Sequence, residues 1–199
     1  MNNIIIFDLD GVITSERAYW DTAGLVVHEL LYSPHYWNVT GVADAYQPPQ
    51  TAEESRRVSR ETFPEAVIVG LKARAVNSNW DTCYAGVCLA LIDLLAKLPD
   101  CSSLLPLQPW DQAWIAAFRA QLTQANIGSV VNTDMFQRLN APLLQGYTGL
   151  DLINRFDVYA SAVLGYAIEG VFARYSPSWK FCSDLFQEWY LGEELYAQA

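Results

Sequence analysis

The sequence predicts a mainly α-helical protein: one N-terminal β-strand of an α/β core, then a large all-α region. Two observations lead there. Ile4-Ile5-Ile6-Phe7 is apolar without alternation, the pattern of a short strand buried on both faces, as in a parallel sheet. From about residue 17 onward, apolar residues recur at helical spacing between Pro and Gly breakers, and residues 150–199 show no alternation of strands and helices. The expected division is therefore 1–16, strand and following loop, and 17–199, helical domain, with the other strands of such a core missing from the 199 residues.

The opening strand runs into Asp8-Leu9-Asp10-Gly11. Two carboxylates at the carboxyl end of a strand lie where open α/β sheets bind ligands, and Gly11 permits a turn that a side chain would oppose. Alternate residues share one side of a strand, so Asp8 and Asp10 can lean toward one ligand. Burying both acids is costly unless a cation satisfies them, and hard carboxylate oxygens suit Mg²⁺.

The string IIIFDLDGVITSE resembles the first motif of the haloacid dehalogenase-like superfamily, a hydrophobic strand followed by D-x-D-G-(V/T). Most of its members are Mg²⁺-dependent phosphatases or phosphotransferases. The resemblance implies that Asp8 is the nucleophile and Asp10 the general acid/base. It also implies that the Asp8 carboxylate and the Asp10 backbone carbonyl ligate the metal. The implied substrate is a small phosphorylated metabolite. Asp10 disfavours carbon–halogen hydrolysis, because the dehalogenases proper lack that second Asp; phosphomutase chemistry is the alternative within the superfamily. An insertion directly after the motif is, in that superfamily, a helical cap domain over the active site.

Taken in order, the first helix is expected from near Ser15, through Tyr19, Ala23, Val26, Val27 and Leu30, to Ser33-Pro34. A polar helix over 51–63 opens on a Thr51/Glu54 capping box and carries Arg56, Arg57 and Arg60, the densest basic cluster in the chain. That cluster reads as a solvated face, with phosphate steering the sharper alternative. Pro64 starts a further helix to about Arg74.

Asn77-Ser78-Asn79-Trp80-Asp81 then forms a polar knot, with Asn77 and Asn79 as candidate caps. It is similar to a stretch in helix-capped members of the superfamily. Asn77, Asn79, Trp80 and Gly11 are accordingly candidate substrate-binding residues. The longest helix spans Trp80 to Leu98, its apolar face built from Cys83, Tyr84, Val87, Cys88, Leu91, Leu94 and Leu95. Further helices are expected over 110–125, 133–139, 150–156, 158–175 and 179–197.

The superfamily's later motifs have only weak counterparts. Thr133 after Ser129-Val130-Val131, Lys180, and Leu191-Gly192-Glu193-Glu194 lack the buried strands that should precede them. The chain therefore reads as part of a larger hydrolase. The rival reading is a non-catalytic helical interaction module that retains the first motif.

Composition bounds the partners. Twelve basic against 22 acidic side chains give a net charge of −10, which repels nucleic acid and anionic lipid. No basic stretch followed by an apolar one marks a signal peptide, and no run nears the ~20 apolar residues of a membrane span. The four cysteines, 83, 88, 101 and 182, show no CxxC spacing, so core thiols in a reducing, cytoplasmic setting are expected. A homo-oligomer is compatible with this composition.

Overall fold

The computed structural model describes residues 16–39, 46–105, 110–127 and 135–192. Nine α-helices occur among them: α1 (Arg17–Tyr32), α2 (Ala52–Thr62), α3 (Glu65–Lys72), α4 (Asn79–Lys97), α5 (Gln112–Gln124), α6 (Met135–Leu139), α7 (Gly149–Asn154), α8 (Phe156–Leu164) and α9 (Pro177–Leu191). Two 3₁₀ turns, Ser102–Leu104 and Pro142–Leu144, join them.

This corrects the expected fold class. Every regular element among the described residues is a helix. The strand over Ile4–Phe7 lies outside the described residues. A chain of helical-period segments can bury its apolar stripes helix against helix, without a sheet.

Helix α4 is the axis, with α1, α3, α6, α8 and α9 packed around it. The sequence pattern shows one wide apolar face, but every residue from Asp81 to Leu95 is buried. A helix apolar nearly all round is a core helix. Its small residues allow close neighbours: a Cβ added to Gly86 would lie 2.8 Å from the Phe63 ring. Helices α1 and α2 cross still more tightly. A Cβ on Gly24 would lie 2.0 Å from Ser59 Oγ and 2.8 Å from Ser59 Cα. Because part of that obstacle is backbone, Gly24→Ala should cost about 2 kcal/mol of stability, read from urea unfolding, as overpacking generally does. An unchanged midpoint would mean that the crossing is looser than described.

Most boundaries follow local chemistry. Thr51 and Glu54 form the capping box: the Thr51 side chain accepts from Glu54 N–H, and Glu54 accepts from Thr51 N–H. Asp111 caps α5 and Ser176 caps α9, which has Pro177 in its first turn.

The expected helix over 158–175 is wrong. Helix α8 begins earlier, at Phe156, and ends at Leu164, where Gly165 takes φ +75°. Residues 165–176 form an irregular loop whose N–H groups are met by side chains of α7 and α8. Asp157 accepts from Gly170 and Phe172, Ser161 from Ile168, and Asn154 from Arg174. These bonds replace the helical ladder, so continuing the helix gains nothing.

Candidate functional site

Asp8, Asp10 and Gly11 lie outside the described residues, which begin at Glu16. The described chain begins at the start of α1.

A narrow cleft between α1, α2 and α3 opens there, lined by Arg17, Trp20, Asp21, Ser59, Arg60, Phe63, Glu65 and Ile68. Its enclosed part has room for about one water molecule. The buried Trp20 Nε1–H has no hydrogen-bond partner, which such a water would supply. Burial raises the Asp21 carboxyl pKa, while Arg60, Arg56 and Arg17 pull it back down. Arg56 stands 4.0 Å from Asp21, and Arg57 pairs with Glu61 at 3.0 Å. The basic cluster of α2 is thus a solvated face, as the sequence reads, and part of its charge is already matched by acids.

The polar knot places its residues differently from expectation. Ser78, not Asn77 or Asn79, is the N-cap of α4, accepting from Asp81 N–H at 3.3 Å. Asn79 is the first helical residue, and exposed Asn77 offers its backbone carbonyl to Lys72 Nζ at 3.0 Å. The shorter Ser side chain reaches back to the third N–H from the extended conformation it adopts there.

Trp80 is 40% exposed and is the first ring of an aromatic run. Its ring centroid is 6.4 Å from that of Phe186, Phe186 is 6.2 Å from Tyr190, and Tyr190 is 5.0 Å from Tyr19 in the first turn of α1. Tertiary packing thus links the polar knot, through α9, to the first turn of α1. Asn77 and Asn79 make no side-chain hydrogen bond to the described residues.

Asp81 is buried behind Trp80, and its Oδ1 accepts from Arg174 Nε at 3.0 Å and Trp179 Nε1 at 2.8 Å. The Arg174 guanidinium also lies over the rings of Tyr175 and Trp179. Four residues before the end of α4, Asp93 receives Arg138 Nε from α6 and Lys97 Nζ from its own helix, both at 2.5 Å. These networks escape an analysis of motifs, but they leave a signal: Asp93 stands alone in Leu89-Ala90-Leu91-Ile92-Asp93-Leu94-Leu95, and a lone acid in an apolar helix needs a buried partner.

The remaining reactive side chains are structural. All four cysteines are buried free thiols, and burial pushes the Cys83, Cys88 and Cys182 pKa values up, away from thiolate chemistry. Lys180, a candidate for a later motif, pairs with Asp184 one turn on in α9. Thr133, Glu193 and Glu194 lie outside the described residues. No group of three His, Cys, Asp or Glu side chains suited to a metal occurs among the described residues.

His28 Nδ1 lies 3.2 Å from Thr62 Oγ1, whose single proton goes to the Val58 carbonyl. The imidazole therefore donates to Thr62 and does not activate it. Burial lowers the His28 pKa to about 4. Between about 4 and its ordinary value near 6.5, the unfolded chain binds the proton and the folded one does not. Stability from this residue is therefore present above pH ~6.5 and is lost as pH falls toward 4. His28→Gln should flatten the fall in Tm between pH 7.5 and 5, measured as wild type minus variant. The raised Asp21 and Glu29 carboxyls act in the opposite sense in both proteins and cancel in that difference.

The fold class seen here is shared with an X-ray structure solved as a Northeast Structural Genomics Consortium target, similar at a TM-score of 0.80 and 23% identity over 97% of this chain. The match covers 50% of that chain, so the 199 residues span about half its length. At that identity the likeness establishes the fold alone. No protein-family model matches the chain, and no curated protein does. No described helix is long and apolar enough to cross a membrane.

Proposed function

We propose that this chain serves a Mg²⁺-dependent phosphoryl-transfer hydrolase of haloacid dehalogenase-like type, acting on a small phosphorylated metabolite. The observation that carries the reading is Asp8-Leu9-Asp10-Gly11 joined closely to a helical body. Further support comes from the aromatic run that joins Trp80, through Phe186 and Tyr190, to Tyr19 in the first turn of α1.

Asp8 attacks the phosphorus, the ester P–O bond breaks, and Asp10 delivers its proton to the departing alkoxide. Asp10 then takes a proton from water as that water attacks the aspartyl-phosphate, which releases inorganic phosphate and restores Asp8. The Asp8 carboxylate and the Asp10 backbone carbonyl are hard oxygen donors suited to Mg²⁺. That ion, when bound, supplies neutralisation between the carboxylate and the phosphoryl oxygens. The helical body excludes water, with Gly11, Asn77, Asn79 and Trp80 meeting the organic part of the substrate. The setting proposed is cytoplasmic, and sedimentation would test whether the chain assembles into homo-oligomers.

Phosphate release from a panel of phosphorylated metabolites with Mg²⁺ tests the reading, together with ¹⁹F NMR of fluoroberyllate. Asp8→Asn should abolish both turnover and the Mg²⁺-dependent bound fluoride signal, and Asp10→Asn should slow turnover at least ~100-fold, as loss of a general acid/base does. Turnover that survives Asp8→Asn overturns the mechanism. Phosphate retained on an isomerised product would instead identify the mutase.

A second reading, a non-catalytic interaction module, is favoured by the exposed rings of Trp80, Tyr175 and Tyr190. It predicts that neither Asp8→Asn nor Asp10→Asn changes any phosphate-dependent signal.

A further inference from the structure

Just before α9 begins, the chain turns tightly, and Ser176 N–H donates to the Ala173 carbonyl at 3.2 Å. Tyr175 sits in that turn at φ +64°, where glycine or asparagine is favoured and a bulky side chain is strained. Burial does not compensate the strain, because Tyr175 is 69% exposed. A strained backbone that holds a large ring in solvent points to a role in binding.

Under that ring lies Arg174, which is fixed along its whole length. Its backbone N–H donates to Asn154 Oδ1 at 3.2 Å, and its Nε donates to Asp81 Oδ1 at 3.0 Å. Its guanidinium carbon lies 4.6 Å from the centroid of the Tyr175 ring and 5.8 Å from that of Trp179. The two rings meet edge to face at 5.0 Å, so the guanidinium stands in the corner between them. Trp179 is held by the same acid, donating from Nε1 to Asp81 Oδ1 at 2.8 Å.

What stays free is the outer edge of the guanidinium. Nη1 and Nη2 donate to no described residue, and neither is sealed from solvent. We infer that Arg174, Tyr175 and Trp179 bind an oxyanion, a carboxylate or a phosphate, carried on an aromatic stem, at a site independent of the proposed phosphoryl transfer. Two adjacent N–H donors match two oxygens of one anionic group. Because the fork is held in place beforehand, binding does not cost the ordering of a loose arginine. The stem of the ligand meets the two rings.

Asp81 does not occupy this site. It contacts Nε, which leaves the fork open, and its side chain is only 7% exposed. It lies in the first turn of α4, and Trp179 in the first turn of α9, so the positive ends of both helix dipoles offset its charge. A cation is excluded, because a guanidinium is itself positive and accepts no hydrogen bond.

Titration of the full chain at pH 7.5 without Mg²⁺ tests this, followed by the ¹H–¹⁵N signals of Arg174 Nε–H and Trp179 Nε1–H. Benzoate and phenyl phosphate are the probes, and the tighter of the two assigns the anion. Saturable shifts are expected, with a Kd on the order of 1 mM. Neutral benzamide should move neither signal. Arg174→Lys keeps the charge but loses the fork, and should weaken binding at least ~10-fold, read at Trp179. Tyr175→Gly should weaken it several-fold while Tm stays level or rises, since glycine relieves the turn. Arg57→Lys, on α2, should leave binding unchanged.

No saturation by either anion at tens of millimolar, or an equal response to benzamide, overturns the site. Full affinity in Arg174→Lys does the same, as does equal weakening by Arg57→Lys, which would reduce the effect to general charge attraction. If Arg174→Lys loses its fold, Tyr175→Gly decides alone, since it leaves Arg174 paired with Asp81. Unchanged affinity there, whatever the Tm, would make the exposed ring a structural part only and end the proposal.

Discussion

Replacing Arg138 by Met should destabilise the protein by about 3 kcal/mol, the usual result when one partner of a buried ion pair is removed. The Asp93 side chain is 1% exposed, and its Oδ1 receives the guanidinium of Arg138. Without that group, one side of the carboxylate faces apolar neighbours with no donor. Lys97 still holds Oδ2, so the loss stays below the full cost of an unpaired buried charge. The double variant Asp93→Leu/Arg138→Met removes the charge with its partner and should recover most of the stability. Chemical unfolding of the four proteins gives the coupling directly. A double variant as unstable as Arg138→Met would show that packing at α6, not the orphaned carboxylate, governs the effect.

Asp81→Ala should cost about 2–3 kcal/mol, in the range for leaving buried or charged donors unpaired. It orphans both Arg174 Nε and Trp179 Nε1, and so loosens α9 and the 165–176 loop from the start of α4. Both donors meet the same Oδ1, so Asp81→Asn keeps an oxygen that can accept from both, loses only the charge, and should lose about half as much. Arg174 retains the faces of Tyr175 and Trp179, which limits the damage. Hydrogen exchange is the sharper readout: the amides of Gly170, Phe172 and Arg174 should exchange faster in Asp81→Ala, while those of Leu89–Leu95 should not. Uniform acceleration would place the effect in global stability alone.

Several structural features could be read before any packing was known. The Thr51/Glu54 capping box, the start of α3 after Pro64 and the termination of α1 before Pro34 are decided within a few residues, and the structure repeats them. The 158–175 segment shows the limit of such reading. Its hydrophobic spacing continues past Leu164, yet Asp157, Ser161 and Asn154 offer the backbone better partners than a helix would. Those partners are known only once the loop has folded back.

The site divides in the same way. Asp8-Leu9-Asp10-Gly11 is legible as a string because the proposed chemistry needs those groups two residues apart. The aromatic run from Trp80 through Phe186 and Tyr190 to Tyr19 is not, because its members lie on three helices far apart in the chain. The expected N-terminal strand of an α/β core, ahead of a mainly α chain, rested on four apolar residues. Helical periodicity occupies nearly all the rest, and the described chain is all-helical.

The sequence by itself determined where most helices begin and end, because caps, prolines and glycines act over one turn. Only the tertiary structure decided that α4 is buried on every side from Asp81 to Leu95, and that Asp81 and Asp93 are inner ion-pair partners. Burial and charge pairing are properties of neighbours in space, and local spacing along a chain does not encode which neighbours those are.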